Sequence, residues 1–258
     1  KRQLQPKPSS RDTALVTVEG FAGVIDLLTL CRRKLGARLT SFEVMWRDYF
    51  DVVTGTLRIG RNPFQTPKSH LILVETMGTS GDADRELLIE MLGEFIGEHP
   101  GADAVMASSL AEATELWSVR DASGEAVRAI APSAGFDVSL PIIAMDEWVR
   151  TTHEGLRALG LGVFQTYGHV ADGNLHLVVA YPAGDPAMKG RIDDLVYRSI
   201  GALGGSISAE HGVGFEKKKY LKLSRSAAEI DLMRRVKAAI DPQDILNRGR
   251  IFDRESTI

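Results

Sequence analysis

The chain of 258 residues has one cysteine, Cys31, which excludes a disulfide framework and a cysteine-built metal cluster. No apolar run approaches the roughly 18 residues that a membrane-spanning helix needs, and no secretory signal is present. Neither sign of charge dominates: 31 Lys and Arg stand against 34 Asp and Glu, a net charge of −3. There is thus no electrostatic case for nucleic acid or an anionic membrane as partner. Low-complexity segments, a Gly-x-Gly-x-x-Gly fingerprint and a Walker pattern are also absent, so a phosphate loop is not expected. What remains is an ordinary globular composition, 44% hydrophobic and 25% charged, and large enough for one big core or two small ones. The first residue is Lys1, and the opening stretch is polar with Pro6 and Pro8. A segment entered through a linker, or a processed chain, fits that beginning.

The stretch GHVADGNLHL, Gly168–Leu177, organises the expectation for the rest. Asp172-Gly173 is a strong signal for a two-residue type I′ hairpin turn, flanked by strand-like 163–167 and 175–179. In that register His169 faces His176, and directly opposed side chains on one sheet face have Cβ atoms roughly 4.5–5.5 Å apart. Two imidazoles so placed can share a divalent metal, given a third ligand from elsewhere. The plainer alternative is a hairpin with two ordinary polar residues on its wet face.

Periodicity predicts strands over 13–19, 39–45, 70–76 and 101–106, with helices over 21–35 and 84–98. A short helical turn is expected at 46–53 and an irregular excursion over 54–69. Strand, helix, strand, strand, helix, strand is the ferredoxin-like βαββαβ order. The order recurs with a strand at 135–140, a helix at 145–159, the hairpin, a helix at 186–203 and a short closing strand at 205–209. A helix over 110–130 joins the two units, about 13–107 and 135–209. The fold class is therefore α+β, an antiparallel sheet covered by helices, within a domain spanning 13–214. Helical stretches at 215–223 and 227–240 and a turn-rich tail follow, making a C-terminal part of 215–258.

Several side chains could carry chemistry. Glu210 is a hard anionic ligand and His211 a ligand or a base, in a loop whose glycines permit close approach. A solvated glycine loop is the alternative. Trp117 and Arg120 share a helix face; Arg120 could clamp a carboxylate in a bidentate fork or simply pair with an acid. Lys217, Lys218 and Lys219 form a wet face with one member aimed inward. His70, His99 and His153 have no clustered partners, and Trp46 and Trp148 read as packing. Spacing alone does not bring Glu210 to the paired histidines.

GHVADGNLHL, SAEHGVGFEKK and DPQDILNRG, taken together and in order, resemble the C-terminal domain of FAD-linked 2-hydroxyacid dehydrogenases. D-2-hydroxyglutarate dehydrogenase is the nearest subgroup in appearance, with D-lactate dehydrogenase and glycolate oxidase subunits as relatives. The likeness extends through SFEVM at 41–45, LILVETMG at 71–78, LWSVR at 116–120 and FDVSLP at 136–141. It implies a flavoprotein whose FAD-binding domain precedes this segment, with 1–12 as linker and this part as substrate-facing cap. It further implies a divalent metal, often zinc, on His169, His176 and Glu210, His211 as general base, and Arg120 on a substrate carboxylate. Asn247 would sit near the flavin, although Arg248 stands where the family commonly has Pro. The implied partners are a D-2-hydroxy acid, the FAD domain and an electron acceptor, with a homodimer as the possible assembly and cytoplasm or mitochondrial matrix as location.

Three positions depart from the hydroxyglutarate pattern: Gly124, Gly135 and Val178 replace a Thr, a Lys and an Asn. Losing these donors weakens recognition of a distal carboxylate, since charged hydrogen bonds contribute about 1.5–3 kcal/mol each. The expected substrate is a related 2-hydroxy acid, lactate-like or with a less polar tail, rather than 2-hydroxyglutarate itself. Two rivals remain: a non-catalytic ferredoxin-like binding or assembly domain, and a metallohydrolase using the same cluster without flavin.

Overall fold

The computed structural model describes residues 7–66 and 68–253. It divides into two compact units: Lys1–Ala131 with Val163–Asp172, and Pro132–Gly162 with Gly173–Ile258. Of the linker expected at 1–12, residues 1–6 lie outside the described residues, and Ser10 already begins a strand. The fold is α+β with antiparallel pairing. Among the described residues no helix is long and apolar enough to cross a membrane.

The first unit contains β1 (Ser10–Val18), α1 (Gly20–Leu35), β2 (Leu39–Trp46), α2 (Arg47–Asp51), β3 (His70–Gly78), α3 (Asp82–Glu98) and β4 (Asp103–Met106). Its strand order is β4-β1-β3-β2, the ferredoxin-like arrangement that the sequence predicts. α1 buries Val24, Leu27, Leu28, Cys31 and Leu35, apolar residues at helical spacing. It stops at Gly36, whose φ of +54° an L side chain rarely adopts. β6 (Phe164–Gly168) adds to the edge of β2 through Val44–Gly168 and Met45–Tyr167. Thr13, Glu75, Leu73 and Glu43 share one sheet face by register. α4 (Leu110–Asp121) covers that face, its Trp117 indole donating to Glu75 and its Arg120 to Glu43.

The helix expected over 110–130 is two. α4 ends at Asp121 and α5 (Ser123–Ala129) begins after Ala122, whose ψ of 13° breaks the path. Ser123 and Gly124 are weak helix formers, so the chain turns cheaply there.

In the second unit β5 (Ser133–Ser139) runs antiparallel to β7 (Asn174–Ala180) over seven rungs, from Ser133–Ala180 to Ser139–Asn174. α6 (Met145–Ala158) packs on α7 (Pro186–Ala202), which packs on β5. Phe136 meets Tyr197 of α7 edge-on at 5.3 Å between centroids. Ala134, Phe136, Val138, Leu175, Leu177 and Val179 are all buried. The other ribbon face carries Ser139 with Asn174, Asp137 with His176, and Gly135 with Val178 as successive rungs. The closing strand expected at 205–209 is a single bridge between Ser139 and Ser206. Beyond it Ser206 and Ser208 bond each other and the chain leaves the sheet. The helix expected at 215–223 is a 3-10 turn, Lys218–Leu223. α8 (Ala227–Ile240) begins on a capping box in which Ser226 and Glu229 satisfy each other's backbone N–H.

The turn after β6 also differs from expectation. Val170–Asp172 forms a 3-10 turn, closed by the Asp172 N–H donating to the His169 carbonyl at 2.9 Å. Gly173 has φ +77°, whereas Asp172 is not left-handed, so the type I′ condition is not met. A longer connection wins because Val170 is fully buried and Arg32 donates to the Ala171 carbonyl at 2.7 Å. His169 consequently opens the turn and is not a ladder residue.

Candidate metal and substrate site

In the first unit three ionisable side chains form a closed triangle. β2 supplies Glu43, an acid between apolar neighbours, and α4 supplies Arg120; both are nearly buried, at 7% and 8% exposure. The Arg120 Nε–H donates to Glu43 Oε2 at 2.8 Å. His169 Nδ1 lies 2.7 Å from Glu43 Oε1, and its Nε2 lies 3.3 Å from Arg120 Nη2. A carboxylate only accepts and a guanidinium only donates, so Nδ1 carries the proton and Nε2 the lone pair. That is the tautomer a metal-ligating Nε2 requires. Burial pushes the Glu43 carboxyl up, but His169 and Arg120 outweigh it and hold it below the usual carboxylate range. The Arg120 guanidinium also lies over the Tyr167 ring, 5.0 Å from its centroid, and the Tyr49 hydroxyl donates to the Arg120 carbonyl at 3.0 Å. Arg120 does pair with an acid, as its plainer reading expects, and it does so in a buried setting.

The second unit builds its part around Asp137, 1% exposed and directly opposite His176 on the ribbon. Its Oδ2 accepts the backbone N–H of Glu210 at 2.9 Å and of His211 at 2.8 Å. Burial raises the Asp137 carboxyl, while those N–H groups and the Lys217 ammonium more than reverse this and leave it lowered. Lys217 is the inward member of the lysine run: its Nζ donates to the Asp137 carbonyl at 3.3 Å and to Ser208 Oγ at 3.0 Å. Burial lowers the Lys217 ammonium against the pull of Asp137. The loop 208–212 is therefore pinned from beneath. Above it Asn174 Nδ2 donates to Glu210 Oε1 at 2.7 Å. A ring nitrogen of His176 and a carboxylate oxygen of Glu210 lie within 4.8 Å of each other. His211 stands beside them, its ring 5.8 Å from that of His176, its Nδ1 3.9 Å from Asp137 and its side chain largely exposed.

Comparison with known proteins shows the family of the chain. The family model of the FAD-linked oxidases, C-terminal domain, matches residues 7–251. The chain belongs to that family. It is 32% identical over 249 residues to a mitochondrial D-2-hydroxyglutarate dehydrogenase of Arabidopsis thaliana, covering 96% of this chain and 44% of that protein. It is 33% identical over 244 residues to the enzyme of the same name from Rattus norvegicus, covering 94% and 45%. The chain thus spans less than half the length of these relatives. In fold it is similar to 4-ethylphenol oxidase from Gulosibacter chungangensis, with TM-score 0.66 and 16% identity over 96% of this chain and 55% of that one.

In this FAD-linked oxidase domain the tail folds back on the glycine loop. The Ile251 N–H donates to the Gly214 carbonyl at 3.0 Å, and Lys218 Nζ to the Gly249 carbonyl at 3.2 Å. Asn247 lies in that tail with φ +49°, its carbonyl accepting the Arg250 N–H at 3.0 Å. The second and third motifs, some 30 residues apart in the chain, thus meet in one unit.

Four residues of the candidate site had no role assigned from sequence: Glu43, Asp137, Asn174 and Lys217. Glu43 and Asp137 had a legible signal. Each is a lone carboxylate between apolar strand neighbours, which folding buries only with partners. Asn174 resembles an ordinary turn residue, and its bond to Glu210 depends on tertiary placement.

Proposed function

We propose that this chain is the substrate- and metal-binding portion of an FAD-dependent dehydrogenase that oxidises a D-2-hydroxy acid to the 2-oxo acid. His169, His176 and Glu210 would hold a divalent cation, zinc by the donor set of two imidazoles and one carboxylate. Two observations support that reading. The approach of His176 and Glu210 within 4.8 Å, on supports provided by Asn174 and Asp137, carries the reading. His169 has its Nδ1 proton held by Glu43, as ligating histidines usually do. Three protein ligands leave room for substrate, which separates a catalytic site from a structural one.

When bound, the cation supplies Lewis acidity toward the substrate α-hydroxyl, and FAD, held mainly by a preceding domain with Asn247 near it, supplies the hydride acceptor. The residues of this chain do the rest. Arg120 presents a fixed guanidinium to a substrate carboxylate, and its pairing with Glu43 limits how far it can stray. His211 accepts the hydroxyl proton; its exposed ring can turn toward substrate while its backbone stays pinned to Asp137.

The substrate tail is read from one rung of the ribbon. Gly135 and Val178 face each other one rung beyond Asp137 and His176, on the same face. Neither offers a charged donor, so a distal carboxylate finds no partner there. The preferred acid therefore has a shorter or less polar tail than 2-hydroxyglutarate, even though the plant and rat relatives are named for that substrate. Those names also place the relatives in mitochondria, and a matrix location is the counterpart for a eukaryotic host.

Turnover of D-2-hydroxy acids by the flavin-loaded full-length protein tests the reading. Bleaching of the flavin by D-lactate or a longer apolar homologue, with D-2-hydroxyglutarate a weaker reductant, is expected. Clear preference for hydroxyglutarate would remove the substrate assignment, and no reduction by any member of the panel would remove the activity.

A further inference from the structure

We propose that Glu43 is a positioning residue of the site, fixing His169 as a metal ligand with one carboxylate oxygen and setting Arg120 with the other. The inference rests on the reading of His169 as a ligand and of Arg120 as a substrate clamp.

The geometry divides the carboxylate cleanly. Oε1 takes the His169 Nδ1 proton at 2.7 Å and Oε2 takes the Arg120 Nε proton at 2.8 Å. A neutral imidazole has one donor and one acceptor nitrogen, so holding the proton on Nδ1 obliges Nε2 to keep its lone pair. The 3.3 Å approach of Arg120 Nη2, a donor, to Nε2 is consistent with that assignment. An ion pair serving only to hold α4 against the sheet needs the Arg120 contact alone. The second oxygen on an imidazole adds nothing to such a role, but it does choose which nitrogen can ligate.

The support is stiff. Glu43 sits in β2 opposite Leu73 of β3, and the neighbouring Val44 pairs with Gly168, the residue before His169. Carboxylate and imidazole are thus carried by adjacent antiparallel strands, close to the last rung that β2 makes with β6. Arg120 is restrained from the other side by the Tyr167 ring and by the Tyr49 bond to its carbonyl. Glu43 is the one group in the triangle that touches both partners as an acceptor. Moving it would disturb the ligand and the clamp together.

The substitution Glu43→Gln separates the two roles from mere packing, because the side chain keeps its shape but has one acceptor oxygen. It can satisfy His169 Nδ1–H or Arg120 Nε–H, and its NH2 then faces the other donor. Zinc affinity of the full-length protein, read by competition with a chromophoric chelator, is expected to fall about 10–100-fold in E43Q. With zinc saturating, KM for the D-2-hydroxy acid should rise more than kcat falls. Glu43→Asp, which keeps both acceptors, should lie between E43Q and the unaltered protein. FAD content reports folding in every variant. In the unaltered protein, 15N shifts of labelled histidine should show His169 protonated on Nδ1, a measurement that no folding failure can obscure. E43Q within two-fold of the unaltered protein in zinc affinity and KM, while His169→Ala loses zinc, would overturn the positioning role and leave the metal site standing. An Nε2-protonated His169 would overturn it as well. His169→Ala that still binds zinc with unaltered affinity would overturn the metal reading beneath it.

Discussion

Asn174 holds Glu210 by one hydrogen bond, Nδ2 donating to Oε1 at 2.7 Å. The bond ties one carboxylate oxygen and turns the group about its axis, so the second oxygen is presented in a defined direction. Supports of this kind matter nearly as much as the ligands. Asn174→Ala is expected to weaken zinc binding by about ten-fold or more, and Asn174→Asp to weaken it further because two carboxylates then face each other. Competition with a chelator of known affinity reads both; unchanged affinity in Asn174→Ala would show that Glu210 orients itself.

A second prediction concerns acid stability. His70 is buried beside Trp46 and Phe21, with ring centroids 5.0 and 5.9 Å away, and burial depresses its pKa from 6.5 to about 4. Its Nδ1 lies 3.0 Å from Ser69 Oγ. In the unfolded chain the imidazole protonates near 6.5, and in the folded chain only near 4. The unfolded state therefore binds more protons in that window. The contribution is complete above pH 6.5 and is lost as pH falls toward 4, on the order of 3 kcal/mol in all. His70→Phe should flatten the fall in urea-unfolding free energy between those pH values, and an unchanged slope would assign the loss to other groups.

The third prediction exploits the open rung. A Cβ built at Gly135 meets no atom within 4 Å, and Val178 lies directly opposite. Gly135→Lys with Val178→Asn places a cation and an amide where a distal carboxylate would reach. At about 1.5–3 kcal/mol per charged hydrogen bond, kcat/KM for D-2-hydroxyglutarate relative to D-lactate should rise roughly ten-fold or more. No change in that ratio would mean that this face does not meet the substrate tail.

How far the sequence was legible follows from what each signal depends on. Strands and helices of the first unit lie within a few residues of the periodic stripes, and α1 ends where the helix expected over 21–35 ends. Long amphipathic segments declare themselves because burial of one face sets their pattern. Connections do not. Asp172-Gly173 has the composition of a tight hairpin, but burial of Val170 and the Arg32 bond to Ala171 select a longer turn. Ser206 pairs for one bridge and then yields to the serine contacts that lead into the glycine loop. The candidate site was visible as residue types in His169, His176, Glu210, His211 and Arg120. Their supports were not assigned, because Asp137 lies over 70 positions from Glu210 and Glu43 over 120 from His169, and no local pattern links them.

Metal and flavin content, measured together on the purified full-length protein and on Glu210→Ala, tests the central claim most directly. The account predicts a zinc-equivalent of divalent metal per flavin in the unaltered protein, and near-complete loss of metal with flavin retained in the variant. Metal retained in full by Glu210→Ala, or a catalytically competent protein that carries none, would contradict it.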